Sequence, residues 1–503
     1  MKTQASIAVL ALVVGGSLAA CSFAPAYKAP PDTGTAPAAY KEIGDWKQAQ
    51  PVDAQPRGAW WTQFNDAQLN GLEDKVSNAN QDLRAAFARL QEARAQAGIA
   101  RADLFPTLTV GPTLTRQRAS VNGPHLAAGA EPTGNDFLLE ADLSYEIDVW
   151  GRVRNTLSAA NASAQASAAD LVTLDLSTHA ELATDYFSLR SADNQQALLD
   201  QTVVDYTKAL QLEQNLYNGG AAALSDLVQA QAQLETAKTQ ASDVHLQRAQ
   251  LEHAIAVLIG EPASSFHLDP MPLSAELAPP AIDPGLPSAL LERRPDVAAA
   301  ERRVFAANAD IGVARAAYFP VFSLSASAGY DSTHSSNWIE APSNIWSLGP
   351  SAVLTLFDAG RHASQSAQAH AAYDEQVADY RGSVLNAYRE VEDNIVALRQ
   401  LEQESESQAA AFTASQKAQQ QAIYRYKGGI VTYLEVVTTE NAALQAELSA
   451  ASIQARRLNA SVTLVKALGG GWQNPQAQQA NAAAPAATPA DAAASAPAQA
   501  AAN

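Results

Sequence analysis

Tyr217-Asn218-Gly219-Gly220-Ala221-Ala222-Ala223-Leu224-Ser225-Asp226-Leu227 and Tyr426-Lys427-Gly428-Gly429-Ile430-Val431-Thr432-Tyr433-Leu434-Glu435-Val436 are two versions of one turn. Each lies between long runs of helical pattern. Each therefore predicts a helix that stops at a Gly pair and a second helix that starts almost at once. Glycine just past a helix C-terminus takes left-handed backbone without the steric cost other residues meet. The agreement extends outward from the turns. Gly312-Val313-Ala314-Arg315-Ala316-Ala317-Tyr318-Phe319-Pro320 repeats Gly98-Ile99-Ala100-Arg101-Ala102-Asp103-Leu104-Phe105-Pro106, and Gly360-Arg361 repeats Gly151-Arg152. From there to Gly260 and Gly469 the two hairpins align without a gap, and even Arg248 has a counterpart in Arg457. The chain reads as two tandem copies of helix, strand, strand, long helix and shorter helix.

Within each copy the period changes as this order requires. Leu69, Leu72, Val76, Leu83, Ala86 and Leu90 recur at helical spacing and predict one helix over Ala67 to Ala102, stopped by Phe105-Pro106. Strands follow at about 107–119 and 136–150, and again at about 321–333 and 345–358. In the second of them Phe137, Leu139, Ala141, Leu143, Tyr145, Ile147 and Val149 share a face, and Glu140, Asp142, Ser144, Glu146 and Asp148 share the other. That length suits a tilted transmembrane strand, but a sandwich strand alternates in the same way, and the first pair alone leaves both readings open. The helical pattern from Val153 to Tyr217 would be on the order of 95 Å long, and its return from Leu224 to Ile259 about 54 Å. The return helix carries a seam of Leu227, Ala230, Leu234, Ala237, Ala241, Val244, Arg248, Leu251, Ile255 and Leu258, whose steps of three and four are those of a coiled coil. Four strands cannot close, since about eight is the smallest workable barrel. Strands in a membrane would require several chains to share one barrel, with the Gly tips about 95 Å or more away.

The chain has 503 residues and a formal net charge of −19, which argues against a nucleic-acid partner. Lys2, the apolar run Ile7 to Val14 and the small residues leading to Cys21 read as an export signal too short to span a bilayer. Leu18-Ala19-Ala20-Cys21 resembles the bacterial lipobox, which implies a lipid on Cys21, the single cysteine, followed by Ser22 as in lipoproteins sorted to the outer membrane. The expected organisation is a signal peptide over 1–20, an extended arm over 21–57, and a first repeat over 58–260 with its tip at 217–226. A Pro-rich joint over 261–287, a second repeat over 288–472 with its tip at 426–435, and a disordered Ala/Gln/Pro tail over 473–503 complete it. No enzyme is legible. HExxH, GxxxxGK and GxSxG frames are absent, and His245 with His253, or His362 with His370, lie too far apart on a helix to share a metal.

Several motifs in order resemble the TolC-like outer-membrane factors, in the lipoprotein branch that serves resistance-nodulation-division efflux pumps. Cys21 to Pro30 resembles the arm after the anchor, and Trp60-Trp61 with Phe64 and Asp66 the opening helix. Leu291-Glu292-Arg293-Arg294-Pro295-Asp296-Val297 with Ala300-Glu301 is the most specific signature, and Leu356-Phe357-Asp358-Ala359-Gly360-Arg361 is similar to the end of the last strand. The resemblance implies a mainly α chain that trimerises into one twelve-stranded outer-membrane β-barrel, continuous with a helical periplasmic tunnel. It implies a passive efflux duct for small toxic compounds, docked at its tips by a periplasmic adaptor and loaded by an inner-membrane pump, with no cofactor beyond the lipid. A duct for type I protein secretion is the alternative. The tip residues Tyr217, Gly219, Gly220, Asp226, Tyr426, Gly428, Gly429, Glu435 and Thr438 are the expected gate and docking site. Asp226 and Glu435 fall at equivalent places and match aspartates lining the closed entrance, so a trimer would carry a ring of six carboxylates able to hold a divalent cation. First-turn acids favoured by a helix N-terminus would look the same. Tyr426 matches a tyrosine that holds the entrance shut. Thr438 stands where a further Asp is common and Val431 where an arginine locks the tip, which implies fewer polar contacts in this gate.

Overall fold

The computed structural model describes residues 22–29, 40–41, 58–122, 131–273, 277–280, 282 and 293–470. The signal peptide, Cys21, most of the arm, part of the Pro-rich joint, Leu291, Glu292 and the tail lie outside the described residues. The elements are α1 (Ala67–Ala79), α2 (Gln81–Ala102), β1 (Thr107–Arg118), β2 (Thr133–Ile147), α3 (Arg152–Asn218), α4 (Leu224–Leu258), α5 (Pro295–Ala316), β3 (Val321–Ser332), β4 (Asn344–Val353), α6 (Arg361–Lys427) and α7 (Tyr433–Ala467). The fold is mainly helical with one small sheet. α3 and α6 each run for 67 residues, and α4 and α7 for 35. Among the described residues no helix is long and apolar enough to cross a membrane.

The helix expected over Ala67 to Ala102 is two helices. Asn80, with φ −60° and ψ 128°, leaves the helical region between α1 and α2. Its side-chain amide donates to the Leu258 carbonyl at 2.8 Å. The Asn side chain thus satisfies the end of α4 instead of sitting in a helix interior. The apolar spacing runs on past the break, which is why periodicity alone spans it.

The chain divides into two compact units. The first comprises Asp82–Leu171 and Ala299–Leu385 with the N-terminal arm. Its sheet is antiparallel in the order β1-β2-β3-β4, with β1 and β4 as edges. The register sorts the side chains by chemistry. Leu108, Leu143, Ala326 and Leu348 form one cross-strand row, and Val110, Ala141, Ala328 and Trp346 another on the same face. Thr109, Asp142, Ser327 and Ser347 form a row on the opposite face. Opposed residues share a face, so the period of two becomes one apolar and one polar surface.

Two strands end earlier than expected because their last acids serve the next helix. β2 stops at Ile147, and Asp148 Oδ2 accepts from the Arg154 backbone N–H at 2.9 Å while Glu146 holds Arg152 by two bonds of 2.8 and 2.6 Å. β4 stops at Val353, and Asp358 caps α6 by accepting from the N–H groups of Gly360 at 2.9 Å and His362 at 2.8 Å. The segment Leu356 to Arg361 is therefore a turn and helix cap, with Ala359 at φ 53°. The arm packs on this unit: Phe23 stacks on Phe319 at 4.5 Å and on Trp150 at 5.8 Å, and Tyr27 meets Phe305 edge-on at 4.8 Å.

The second unit comprises Ala36–Gln81, Val172–Ala298 and Asn386–Asn503. Leu69, Val76, Leu182, Tyr186, Phe187 and Leu189 are fully buried in it. Further along, Leu199, Ala241 and Leu444 form one cluster, and Tyr206, Leu234 and Ala237 another. The seam positions Ala230, Leu234, Ala237, Ala241, Arg248 and Ile255 are buried. Gly469, at φ +84°, lies where a Cβ would come within 2.4 Å of the Arg293 carbonyl, so α7 ends in close backbone contact.

Candidate gate at the helical tips

Both tips close in the same way. In the first, the Gly220 N–H donates to the Tyr217 carbonyl at 2.9 Å and the Ala221 N–H to Leu216 at 2.8 Å. In the second, the Gly429 N–H donates to Tyr426 at 2.9 Å and the Ile430 N–H to Arg425 at 2.9 Å. This pair of bonds is the Schellman motif, and it needs one left-handed residue. Gly220 at φ +73° and Gly429 at φ +67° fill that role. Gly219 and Gly428 are not among the residues with positive φ, so only the second glycine of each pair is conformationally required.

α4 and α7 start within a few residues, and Asp226 and Glu435 fall in their first turns. The helix dipole favours a carboxylate there. The two acids differ in their surroundings. Glu435 Oε1 accepts from Arg425 Nη1 at 2.6 Å. Asp226 is half-buried, and among the described residues its Oδ1 has only the Ser225 hydroxyl, at 3.5 Å. Arg425 thus puts a guanidinium against the acid of the second tip, where residue 431 is valine. Thr438 is exposed, with its hydroxyl turned back to the Leu434 carbonyl at 2.8 Å.

Tyr426 reaches across to α3. Its hydroxyl donates to Glu213 Oε1 at 2.6 Å, and its ring lies 5.7 Å from that of Tyr433. Burial raises the Tyr426 hydroxyl well above its ordinary pKa, and Glu213 adds to the shift. Glu213 is only 1% exposed, and its Oε2 has no hydrogen-bond partner among the described residues. Tyr433 with Val436, Val437, Ala230 and Ala422 forms the apolar cluster behind this bond. Tyr217 is 39% exposed at the first tip. Tyr426 with Glu213 and Glu435 with Arg425 are thus paired between helices, whereas among the described residues Asp226 and Thr438 bond only within their own helix.

A second polar cluster joins α1 to α3. His179 Nδ1 lies 2.5 Å from Glu73 Oε2, Nε2 lies 3.5 Å from Asp175 Oδ1, and the ring stacks on Trp61 at 4.4 Å. Asp66 caps α1 by accepting from Gln68 and Leu69, and accepts the Tyr186 hydroxyl at 2.7 Å. Burial pushes the Glu73 carboxyl up to about 7, with His179 opposing. Burial alone would lower His179, but Asp175 and Glu73 outweigh it and raise the ring to about 9. Both folded-state groups bind protons more tightly than the unfolded chain does, so this cluster stabilises most at low pH. Thermal unfolding should therefore move to lower temperature as pH rises from 7 through 9. His179→Gln should flatten the part of that slope nearest pH 9; an unchanged profile would refute the assignment.

Comparison with known proteins places this arrangement. Residues 72–261 and 286–470 match the outer membrane efflux protein family. The chain belongs to that family. It is 34% identical over 472 residues to the outer membrane protein OprJ of Pseudomonas aeruginosa, covering 92% of this chain and 96% of OprJ. It is 32% identical over 492 residues to the toluene efflux pump outer membrane protein TtgF of Pseudomonas putida, covering 95% of this chain and 99% of that one. The solved structure of the outer-membrane channel OprN matches with a TM-score of 0.82 at 30% identity, over 90% of this chain and all of the other. The outer membrane is where such a protein works, and these relatives are channel and pump proteins, not enzymes.

In this member of the family, the Arg-Arg-Pro-Asp stretch is structural. Arg294, 7% exposed, donates to both oxygens of Asp296 at 2.9 and 2.7 Å, to Glu390 at 2.7 Å and to the Ala467 carbonyl at 3.0 Å. One guanidinium thus joins the start of α5, the middle of α6 and the end of α7. Sequence reasoning missed Glu213 and Arg425, which look like ordinary helix-surface charges. It also missed His179 with Glu73, whose positions lie far apart in the chain. His245, His253 and His370 are exposed, and among the described residues no cluster of His, Cys, Asp and Glu suits a metal.

Proposed function

We propose that the chain is the outer-membrane duct of a tripartite efflux pump, assembled as a homotrimer. The observation that carries this reading is the sheet. Its apolar face stands open, with Leu108 65%, Val110 67%, Trp346 75% and Leu348 63% exposed. A sandwich would lay a second sheet on that face, and the described residues form a single four-stranded sheet with two free edges. An apolar outside, a polar inside and unpaired edges suit lipid, water and neighbouring copies respectively. Three chains would close a twelve-stranded barrel, anchored further by a lipid on Cys21. Cargo of small molecules is supported by the toluene in the name of the relative TtgF. A periplasmic adaptor would dock at the two tips, and an inner-membrane pump would load the tunnel. At the closed mouth, Asp226 and Glu435 of three chains would form the acidic ring, with Arg425 moderating the Glu435 charge.

Purified protein in detergent should run as a trimer and form pores in planar bilayers, and a tagged copy should co-purify with an adaptor and a pump. A monomer with no pore activity overturns the duct reading.

A further inference from the structure

The second unit holds an open pocket of about 370 Å³ among α3, α6 and α7. Small-molecule sites occupy about 300–1,000 Å³ and combine apolar walls with a few placed polar groups. This pocket has both. Leu198, Ile423, Leu444 and the ring of Tyr206 provide apolar surface, and Glu440 and Glu447 provide carboxylates. Asp205 also lines it, but that carboxylate is already met by Lys208 Nζ at 3.1 Å and by the Gln201 amide at 3.0 Å. Glu440 and Glu447 have neither a hydrogen bond nor an ion pair among the described residues. No Lys, Arg or His lines the pocket.

Glu440 is half-buried beside Tyr206. Burial pushes its carboxyl up to about 7, and Asp205 adds to the shift. The titratable and charged groups around it are Asp205, Tyr206 and Lys208 on α3, with Tyr433 and Glu447 on α7. α6 contributes only Gln416, Gln419 and Ile423 to the lining. A desolvated carboxylate without a cation is costly, and a positive group entering the pocket would relieve that cost.

We propose that this pocket binds an organic monocation with an apolar body. The charge sits against Glu440, with the exposed Glu447 supplying a second carboxylate in the lining. The body covers Leu198, Ile423 and Leu444. A metal ion fits poorly, since no ligand cluster for one exists among the described residues. Anions are excluded by the charge of the lining. The site uses neither Asp226 nor Glu435, so its failure would leave the duct reading untouched.

Tetraphenylphosphonium is a suitable probe because its charge does not vary with pH. Titrated calorimetrically into the full-length protein in detergent, against empty micelles, it should bind saturably at one site per chain. Glu440→Gln should weaken binding by about tenfold or more, as expected when a desolvated charge pair is lost. Affinity should rise between about pH 6 and 8 as Glu440 ionises, and that rise should vanish in the variant. Gln419→Trp should block the pocket with both acids in place, and neutral triphenylphosphine oxide should bind far more weakly. Uptake no greater than that of empty micelles, or an affinity indifferent to both substitutions, would overturn the proposal. Circular dichroism checks that each variant is folded before its binding is read, and the two variants act by independent means.

Discussion

Asp193→Ala should destabilise the chain by about 3–5 kcal/mol, the cost of stranding a buried charge by removing its partner. Asp193 lies on α3 between two buried guanidiniums. Its Oδ2 accepts from Arg190 at 2.6 Å and from the Met271 N–H at 3.0 Å, and its Oδ1 accepts from Arg248 at 2.7 Å. Arg248 keeps a second anion, Glu252, at 3.0 Å, and the Leu268 carbonyl at 2.5 Å. Among the described residues Arg190, 1% exposed, keeps only the Gln68 amide oxygen and the Asp269 carbonyl besides the Tyr186 ring. Truncating Asp193 therefore leaves Arg190 buried without an anion and frees Met271 from α3. Glu252→Gln should cost less, because Arg248 retains Asp193. Thermal unfolding in detergent measures the difference. A loss below about 1 kcal/mol for Asp193→Ala would show that the cluster is no keystone.

That cluster marks where sequence reading stops. Arg248 and Arg457 occupy the same place in the two hairpins, yet only Arg248 sits among acids. Ser461 stands where the alignment puts the counterpart of Glu252, and among the described residues Arg457 reaches only the Ser405 hydroxyl, at 3.4 Å. A repeat in sequence fixes backbone periodicity, not the partners of a polar side chain. Periodicity was enough for the long helices, the Gly turns and the two faces of the sheet, because each follows from local spacing. The break at Asn80 and the early ends of β2 and β4 were hidden. There a polar side chain of ordinary appearance was recruited to cap a neighbouring helix. Glu213 was hidden for a related reason: on a helix of 67 residues one more acid reads as solvated, and only the approach of Tyr426 reveals it as buried. The stretch after α4 read only as a Pro-rich joint, but Leu268, Asp269 and Met271 join the ion cluster through backbone groups that no side-chain pattern reports.

Tyr426→Phe should raise the open fraction of the channel about ten- to hundredfold, and Asp226→Ala with Glu435→Ala should raise conductance and weaken divalent block. The two results have different origins. The Tyr426 hydroxyl is the only donor to the Glu213 carboxylate among the described residues, and such a bond to a charged acceptor contributes about 1.5–3 kcal/mol. Losing that bond penalises only the packing that contains it, and every 1.4 kcal/mol or so is a factor of ten in population. The pore's charge is unchanged, so block by divalent ions in the open state should stay as it was. The acid substitutions act on charge instead. Removing Asp226 deletes the least partnered carboxylate at the tip. Removing Glu435 deletes another and also releases Arg425, so the mouth becomes more positive. Divalent cations should then bind less well, with a smaller change in gating than Tyr426→Phe produces. Single-channel records with and without magnesium separate the two. If Tyr426→Phe leaves the open fraction alone, the tyrosine bond is packing and not a latch. If the double substitution leaves block and conductance alone, the acids are only helix-terminal charges and the ring has no part in the gate.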